Sequence, residues 1–316
     1  MLGYIIRRLG VTVIVIIGVA AITFAVLHYL SPTPAYTVLG TKAKPAEILS
    51  WDKQHGYDRP EVAQFFSYLG GLVHGNFGFG YKFNQSVAAL FKENAGRTAY
   101  LSGAGLVLSL LIAVPLGIAQ AVKRNSPGDY AATAINFTLY SMPSFFLGLI
   151  LIQIFALDLH IFPPGVSDSV TSVWGAIIHP RQLCLPIVTL ALLNVASYSR
   201  YMRSSALDEL AQDYIRLARA KGLSEKSVLM RHLLRNACLP VITLVGVSIP
   251  YLVAGNLLIE VLFNYPGLGF LFYQALGYQD YNVLLAYTLL GALLTVLGNL
   301  FADVAIAAAD PRVRLD

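Results

Sequence analysis

The residues that could do chemistry in this chain are few and scattered. Its six histidines stand at 28, 55, 74, 160, 179 and 232, and no two have the spacing of metal ligands. Cys184 and Cys238 form neither a CxxC redox pair nor part of a zinc set, and they read as small apolar packing residues. The sequence lacks a GxxxxGK[ST] phosphate loop, an HExxH helix and a GxSxG nucleophile elbow. No nucleophile, base and oxyanion donor converge, so the expected set of catalytic residues is empty. Neither a metal nor a cofactor is expected in the chain.

Polar residues inside apolar runs come next. Asn136, Ser141 and Ser144 share one run, Asn194 and Ser197 a second, Ser248 and Asn256 a third. Two readings stand. They could wet a passage for a polar solute, or they could hydrogen-bond between helices at about 0.6 kcal/mol each. Glu260 and Asp303 lie at the ends of apolar runs, where a carboxylate reaches water or headgroups and structural pairing is expected. A proton-coupled pump would want a carboxylate or histidine at mid-span, and none is present.

The most charged passage is 213–240, DYIRLARAKGLSEKSVLMRHLLRNACLP. Tyr214, Leu217 and Ala218 fall at i, i+3 and i+4, which gives a short helix with one apolar edge. Arg216, Arg219 and Lys221 lie elsewhere on it, and Gly222 is placed to end it in the left-handed conformation. Ser224 is placed to cap a second helix carrying Val228, Leu229, His232 and Leu233. Such a segment is either held on a membrane surface by anionic lipid or is a short rigid helix that fits a groove on a partner.

The elements that position these residues are membrane spans. Of 316 residues, 56% are hydrophobic and 12% charged, about half the charge of a soluble domain, where about 25% is usual. Six apolar runs, 9–30, 98–122, 131–157, 183–199, 237–259 and 283–305, are each long enough to cross about 30 Å of hydrocarbon. The first is too long for a signal peptide and should be retained as a span. The expected fold is all-α: six spans, an extracytoplasmic subdomain at 31–97 after the N-terminus and first span at 1–30, a transmembrane core at 98–305 with a cytoplasmic loop at 200–236, and a tail at 306–316. With the N-terminus inside, 14 of 22 Lys and Arg are cytoplasmic and the short outer loops hold only Arg181. This bias also accounts for the net charge of +5, so no nucleic-acid partner is expected.

Within 31–97 a helix is expected from Pro60, with Val62, Phe65, Phe66 and Leu69 on one face. A turn-rich GNFGFGYKF follows, then a helix running into the second span. The subdomain either docks an external partner or braces the spans. Pro127-Gly128 should form a tight inner turn. The aromatic segment 260–282 reads as re-entrant or as an aromatic belt. Pro115, Pro143, Pro186 and Pro250 should kink four of the spans.

The 213–240 stretch resembles the EAA loop of ABC importer permeases, in the form used by the dipeptide/oligopeptide/nickel subfamily, DYxRxARAKGLS…HxLRNAxxP. Asp213, Tyr214, Arg216, Ala218, Arg219, Ala220, Lys221, Gly222 and Leu223 match, then His232, Leu234, Arg235, Asn236, Ala237 and Pro240. Arg216 and Leu217 occupy slots that read Glu and Ala in the wider motif. The likeness spans nearly the whole chain, through YIIRRLGVTVIVIIGV, SMPSFFLGLILIQIFA, EVLFNYPGLGFLFYQAL and DPRVR, and is to the subfamily's B permease. GNFGFGYK departs from the usual GDxGxS. The resemblance implies a bacterial inner-membrane heterodimer with a second homologous permease, membrane lipid around it, and an extracytoplasmic peptide-binding protein above. Two ATPase subunits below would bind ATP and Mg and receive the helix around Arg219–Gly222. Nickel-chelate, glutathione or a haem-like molecule is the alternative cargo, and a stand-alone channel or membrane enzyme the alternative class.

Overall fold

The computed structural model describes residues 2–30, 33–40, 42–167, 170, 172–254 and 256–309. Arg312 and Arg314 of the expected tail lie outside these residues, as do the side chains of Arg7, Arg8, Pro250 and Asp303. The chain opens with α1 (Leu2–Leu30), then α2 (Ala35–Leu39), α3 (Pro45–His55) and α4 (Glu61–Val73). Two short antiparallel strands follow, β1 (Phe79–Gly80) and β2 (Gln85–Ser86), with Phe79 opposite Ser86. Next come α5 (Val87–Val122), α6 (Pro127–Ser141) and α7 (Ser144–Leu151), which widens into a π-helix, π1 (Ile152–Asp158). A short α8 (Val173–Ile178) precedes the long α9 (Pro180–Leu210). Then come α10 (Asp213–Ala220), α11 (Glu225–Ser227), a second π-helix, π2 (Val228–Leu233), α12 (Leu234–Ala237) and α13 (Leu239–Ala254). The chain finishes with α14 (Leu257–Leu262), α15 (Leu268–Tyr278) and α16 (Tyr281–Ala309).

Among the described residues four helices, α1, α5, α9 and α16, are long and apolar enough to cross a membrane, and the number reaches six if each of two bent pairs is one crossing. The first bent pair is α6 with α7–π1, which turns by 110°. The cause is Met142-Pro143. Proline has no N–H to continue the ladder, and Met142 is forced to extended backbone (φ −77°, ψ 135°). The expected third span is therefore broken rather than kinked. The second pair, α11–α12 with α13, bends by 46°, just before Pro240. Its apolar helix ends at Ala254, short of the expected 259. The expected fourth span is an underestimate, because α9 runs on to Leu210.

α5 and α9 form the centre. On α5 the residues Leu101, Gly105, Ser109, Ala113, Gly117 and Ala121 recur every four positions and are all buried. Small side chains at this spacing let two helices approach closely. A Cβ on Gly105 would stand 2.8 Å from Leu190 Cβ, and one on Gly117 would stand 2.6 Å from Met202 Cβ and 2.8 Å from the Ser199 carbonyl oxygen. The two contacts advance together along both helices, so α5 and α9 run parallel. The chain between them must return to its starting side, and α6–α7–π1 makes that return despite its break.

At one end of this pair sits the subdomain. As expected, α4 begins after Pro60 and the helix of the second run starts early, at Val87. The expected apolar face of α4 is corrected: Val62 and Phe66 are exposed, while Gln64, Phe65, Tyr68 and Leu69 turn inward. That face is set by α1, whose Phe24 ring lies 5.5 Å from Phe65. The turn-rich break is the β1–β2 hairpin. It is tied to α16 and the residue before it: Asn282 Nδ2 donates to Phe79 O (2.9 Å), and Lys82 N donates to Asp280 Oδ2 (3.1 Å). Burial pushes the Asp280 carboxyl above its ordinary range.

The 260–282 segment is not an aromatic belt at its start, because Phe263 and Tyr265 are fully buried. α14 and α15 form a hairpin closed on Glu260, which is also fully buried rather than reaching water. Its carboxylate accepts from Thr98 Oγ1 (2.8 Å), Gly269 N (2.7 Å) and Phe270 N (3.1 Å). Two of these donors are free amides in the first turn of α15, where the helix dipole favours an anion.

Replacing Gly117 with Val should overpack the α5–α9 seam by about 1–3 kcal/mol or more. Gly103→Ala, on the same helix with open space around its added methyl group, should be neutral or stabilise by up to about 1 kcal/mol, because alanine is the better helix former. Thermal unfolding of the two variants in detergent, read side by side, checks the difference.

Candidate functional site

The far end of the α5–α9 pair carries the charged stretch. α10 has eight residues, too few to hold a helix in water alone, and tertiary contacts hold it. Ile215 and Ala218 are buried in one cluster with Met202 and Ala206 of α9, Val228 and Leu233 of π2, and Val241 of α13. This corrects the expected apolar edge. The buried pair is Ile215 and Ala218 with Tyr214 beside them, and Leu217 is 56% exposed. Sequence spacing admits both stripes. The apolar pocket between α9 and π2 selects the one centred on Ile215.

The helix ends as its glycine suggests. Gly222 has φ +77°, its N–H donates to Arg219 O (3.0 Å), and Leu223 N donates to Ala218 O (3.4 Å). This is the paired closure of a Schellman motif. Arg219 then folds onto Glu225, with Nη2 donating to Oε1 (2.6 Å) and Nε to Oε2 (3.2 Å). Ser224 stands at the start of α11 as expected, but its hydroxyl makes no cap bond. The second helix continues as π2, whose wider turns accommodate one more residue than an α-helix would.

Tyr214 is the third attachment. Its hydroxyl donates to the Glu209 carboxylate near the end of α9 and accepts from Asn236 Nδ2 (2.9 Å) in α12. Burial pushes this hydroxyl's pKa up. α10 is thus bonded at once to the elements before and after it. Arg216, Leu217, Arg219, Ala220, Lys221, Gly222 and Leu223 remain exposed, as does Asp213, which pairs with Arg216 at 3.4 Å. The result is a rigidly mounted knob with a mixed apolar and basic outer face.

A neighbouring latch escaped the sequence reading. Arg203 of α9 binds Asp129 of α6 through two bonds, Nε to Oδ1 (2.9 Å) and Nη2 to Oδ2 (2.8 Å). Asp129 is buried and also accepts from Gln120 Nε2 (3.2 Å) and Asn125 N (3.0 Å). The expected turn on Pro127-Gly128 is corrected, because both residues begin α6 and the turn lies at 123–126 with Asn125 at φ +61°. Ser126-Pro127-x-Asp129 is a readable helix start, with a capping Ser, Pro at the first position and an acid in the first turn. Nothing local marks Arg203 as its partner.

The seven polar residues of the apolar runs are not brought together. Asn136 Nδ2 donates to Ser199 Oγ (2.9 Å), and Ser248 Oγ lies 3.0 Å from Tyr198 OH, so these two link helices. Asn194 and Ser141 donate to their own helix, at Leu190 O (3.0 Å) and Phe137 O (2.9 Å). Asn256 caps α14, while Ser144 opens α7 and Ser197 is half-buried on α9. Asn136 also lines a cleft of about 200 Å³ with Gln120, Thr133, Arg200 and Arg203. Among the described residues no three of His, Cys, Asp or Glu are placed to hold a metal ion.

Residues 113–315 match the family described as binding-protein-dependent transport system inner membrane component, and residues 1–89 match its N-terminal family. The chain belongs to this family. It is a multi-pass membrane component of a transport system, not an enzyme. It is 35% identical over 314 residues to the oligopeptide transport system permease protein AppB of Bacillus subtilis, covering 99% of both chains. It is 34% identical to the dipeptide transport system permease protein DppB of Escherichia coli K12, again over 99% of both. It is 35% identical to the glutathione transport system permease protein GsiC of Salmonella choleraesuis, with the same coverage. The family match over 113–315 includes every element of the α10 knob and the Asp129–Arg203 latch.

Asp129→Ala would leave the Arg203 guanidinium without its carboxylate in a half-buried site and should destabilise the chain by about 2–3 kcal/mol. Arg203→Ala should cost a similar amount, and the double variant less than the sum of the two. A double-mutant cycle of thermal unfolding in detergent checks this.

Proposed function

We propose that this chain is the membrane subunit of an ATP-driven importer of di- or oligopeptides, with both termini and the α10 knob in the cytoplasm. The carrying observation is the α10 knob. It is a short helix fixed at three places to the bundle, with Leu217, Ala220 and Leu223 exposed beside Arg216 and Lys221. An exposed apolar and basic face on a rigid mount suits a groove on a soluble partner. The chain has no nucleotide loop of its own, so the partner is read as an ATPase pair that binds ATP and Mg.

In this reading Asp213, Tyr214, Arg216, Ala218, Arg219, Ala220, Lys221, Gly222 and Leu223 form the coupling element in three sets, with Asp213 paired to Arg216 of the second. Tyr214 and Ala218, together with Ile215, anchor it. Arg216, Leu217, Ala220, Lys221 and Leu223 face the ATPase. Arg219 and Gly222 shape the end of the helix, one through Glu225 and the other through its positive φ. A push on α10 reaches α9 through Glu209 and α12–α13 through Asn236. A second homologous permease completes the path, an extracytoplasmic peptide-binding protein delivers the solute, and residues 31–97 form the outer subdomain. Peptide cargo is favoured because two of the relatives above are named for peptide transport; glutathione, itself a tripeptide, is the alternative that the third relative supplies.

Gly222→Val should abolish peptide uptake while the chain still inserts, because a β-branched residue resists φ +77°. Uptake at the wild-type rate in reconstituted vesicles would sink the coupling role. Arg219→Glu should release Glu225 and leave ATP hydrolysis running without transport; an unchanged ratio of peptide moved to ATP hydrolysed would count against it.

A further inference from the structure

Beside the knob lies a cavity of about 490 Å³ between the last turns of α5 and the α11–π2–α12 segment. Its walls are Val114, Ile118 and Val122 on one side and Leu229, Met230 and Leu234 on the other. Two of its lining residues are Lys123 and Lys226, which are exposed and in no ion pair among the described residues. The nearby acid, Glu225, is already committed to Arg219.

We infer that this groove holds one anionic phospholipid, its acyl chain against α5 and its phosphate between Lys123 and Lys226. Three observations carry the assignment. The first is chemistry: the walls are hydrocarbon and the two charges at the rim are both positive, which is complementary to an anionic amphiphile. The second is position. Lys123 follows the last residue of α5, so the charges lie where an apolar helix ends and a headgroup layer begins. The third is length. The wall continues along α5 to exposed Leu111, and the eleven-residue rise from there to Val122 is about 16 Å, close to one leaflet of a core about 30 Å thick. Basic pockets at the cytoplasmic ends of membrane helices take anionic headgroups for the same electrostatic reason.

The site touches the coupling element from behind. Lys226, Leu229 and Met230 belong to the segment that also supplies Val228 and Leu233 to the packing under α10. A lipid seated there steadies α11–π2 and with it the mount of the knob. That the lipid belongs to the inner leaflet rests on the orientation proposed above, but binding itself does not.

The test is native mass spectrometry of the full-length chain, released from detergent micelles doped with phosphatidylglycerol or with phosphatidylcholine. The wild type should retain phosphatidylglycerol selectively. K123Q/K226Q should lose that selectivity by about 30-fold, whereas K82Q/K92Q, the same charge change in the subdomain region, should not. Met230→Asp should reduce retention of both lipids. Equal retention of the two lipids by the wild type, or unchanged selectivity in K123Q/K226Q, would overturn the site. So would efficient cross-linking of the Met230→Cys variant through that position to another protein chain in the assembled complex, since that would make the groove a protein interface. None of these readouts depends on uptake or ATP hydrolysis, so failure here is distinguishable from failure of the importer reading.

Discussion

Everything in this molecule hangs on how closely α5 and α9 approach. Inside a membrane the hydrophobic effect gives helices no reason to prefer each other over lipid, and packing must supply the attraction. Gly105, Ser109, Ala113 and Gly117 make a shallow track down one face of α5, and Leu190 and Met202 of α9 lie in it. The two functional ends are mounted on this pair. Thr98 near the subdomain end of α5 receives the Glu260 hairpin. At the other end Met202 and Ala206 of α9 floor the cluster that holds α10, and Arg203 holds α6.

The two ends are built on different principles. At the subdomain end a buried carboxylate is satisfied by a hydroxyl and two helix-terminal amides, with aromatic side chains sealed around it. Such a site is specific in shape and costly to rearrange, because any shift leaves buried polar groups unpaired. At the other end the knob is held by an apolar cluster, a tyrosine bridge and the half-exposed Arg219–Glu225 pair, while the buried Asp129 carboxylate ties α6 to Arg203 beside it.

The sequence carried the architecture more readily than the joints. Apolar runs longer than 18 residues announce spans, and α1, α5, α9 and α16 were legible for that reason. Gly222 was legible because only a left-handed terminus explains a glycine after RLARAK. Three things were not. The break at Met142-Pro143 looks like any proline kink until neighbours fix its angle at 110°. The inward face of α10 depends on a pocket made by residues on α9, π2 and α13. Glu260, at the end of an apolar run, read as a structurally paired carboxylate within reach of water or headgroups, and only the fold shows that it is fully buried and that Thr98 and the first turn of α15 are its partners. The polar residues of the runs were ambiguous by nature, since an asparagine that links helices and one that lines a path are written with the same letter.

The parallel seam also dictates an order of biogenesis. Gly105 meets Leu190 and Gly117 meets Met202, in each case 85 residues further along the chain. When the ribosome has delivered α5, its partner does not yet exist, and two more membrane-directed helical segments must be placed before α9 arrives. During that interval the α5 track faces lipid. It can wait there because it exposes almost nothing that lipid would reject: its one hydroxyl, on Ser109, donates to Leu106 O of the same helix (2.6 Å). A track of larger polar residues would seek partners early and wrongly. The small residues serve assembly twice, first as an inert surface in the nascent protein and later as the joint that closes it.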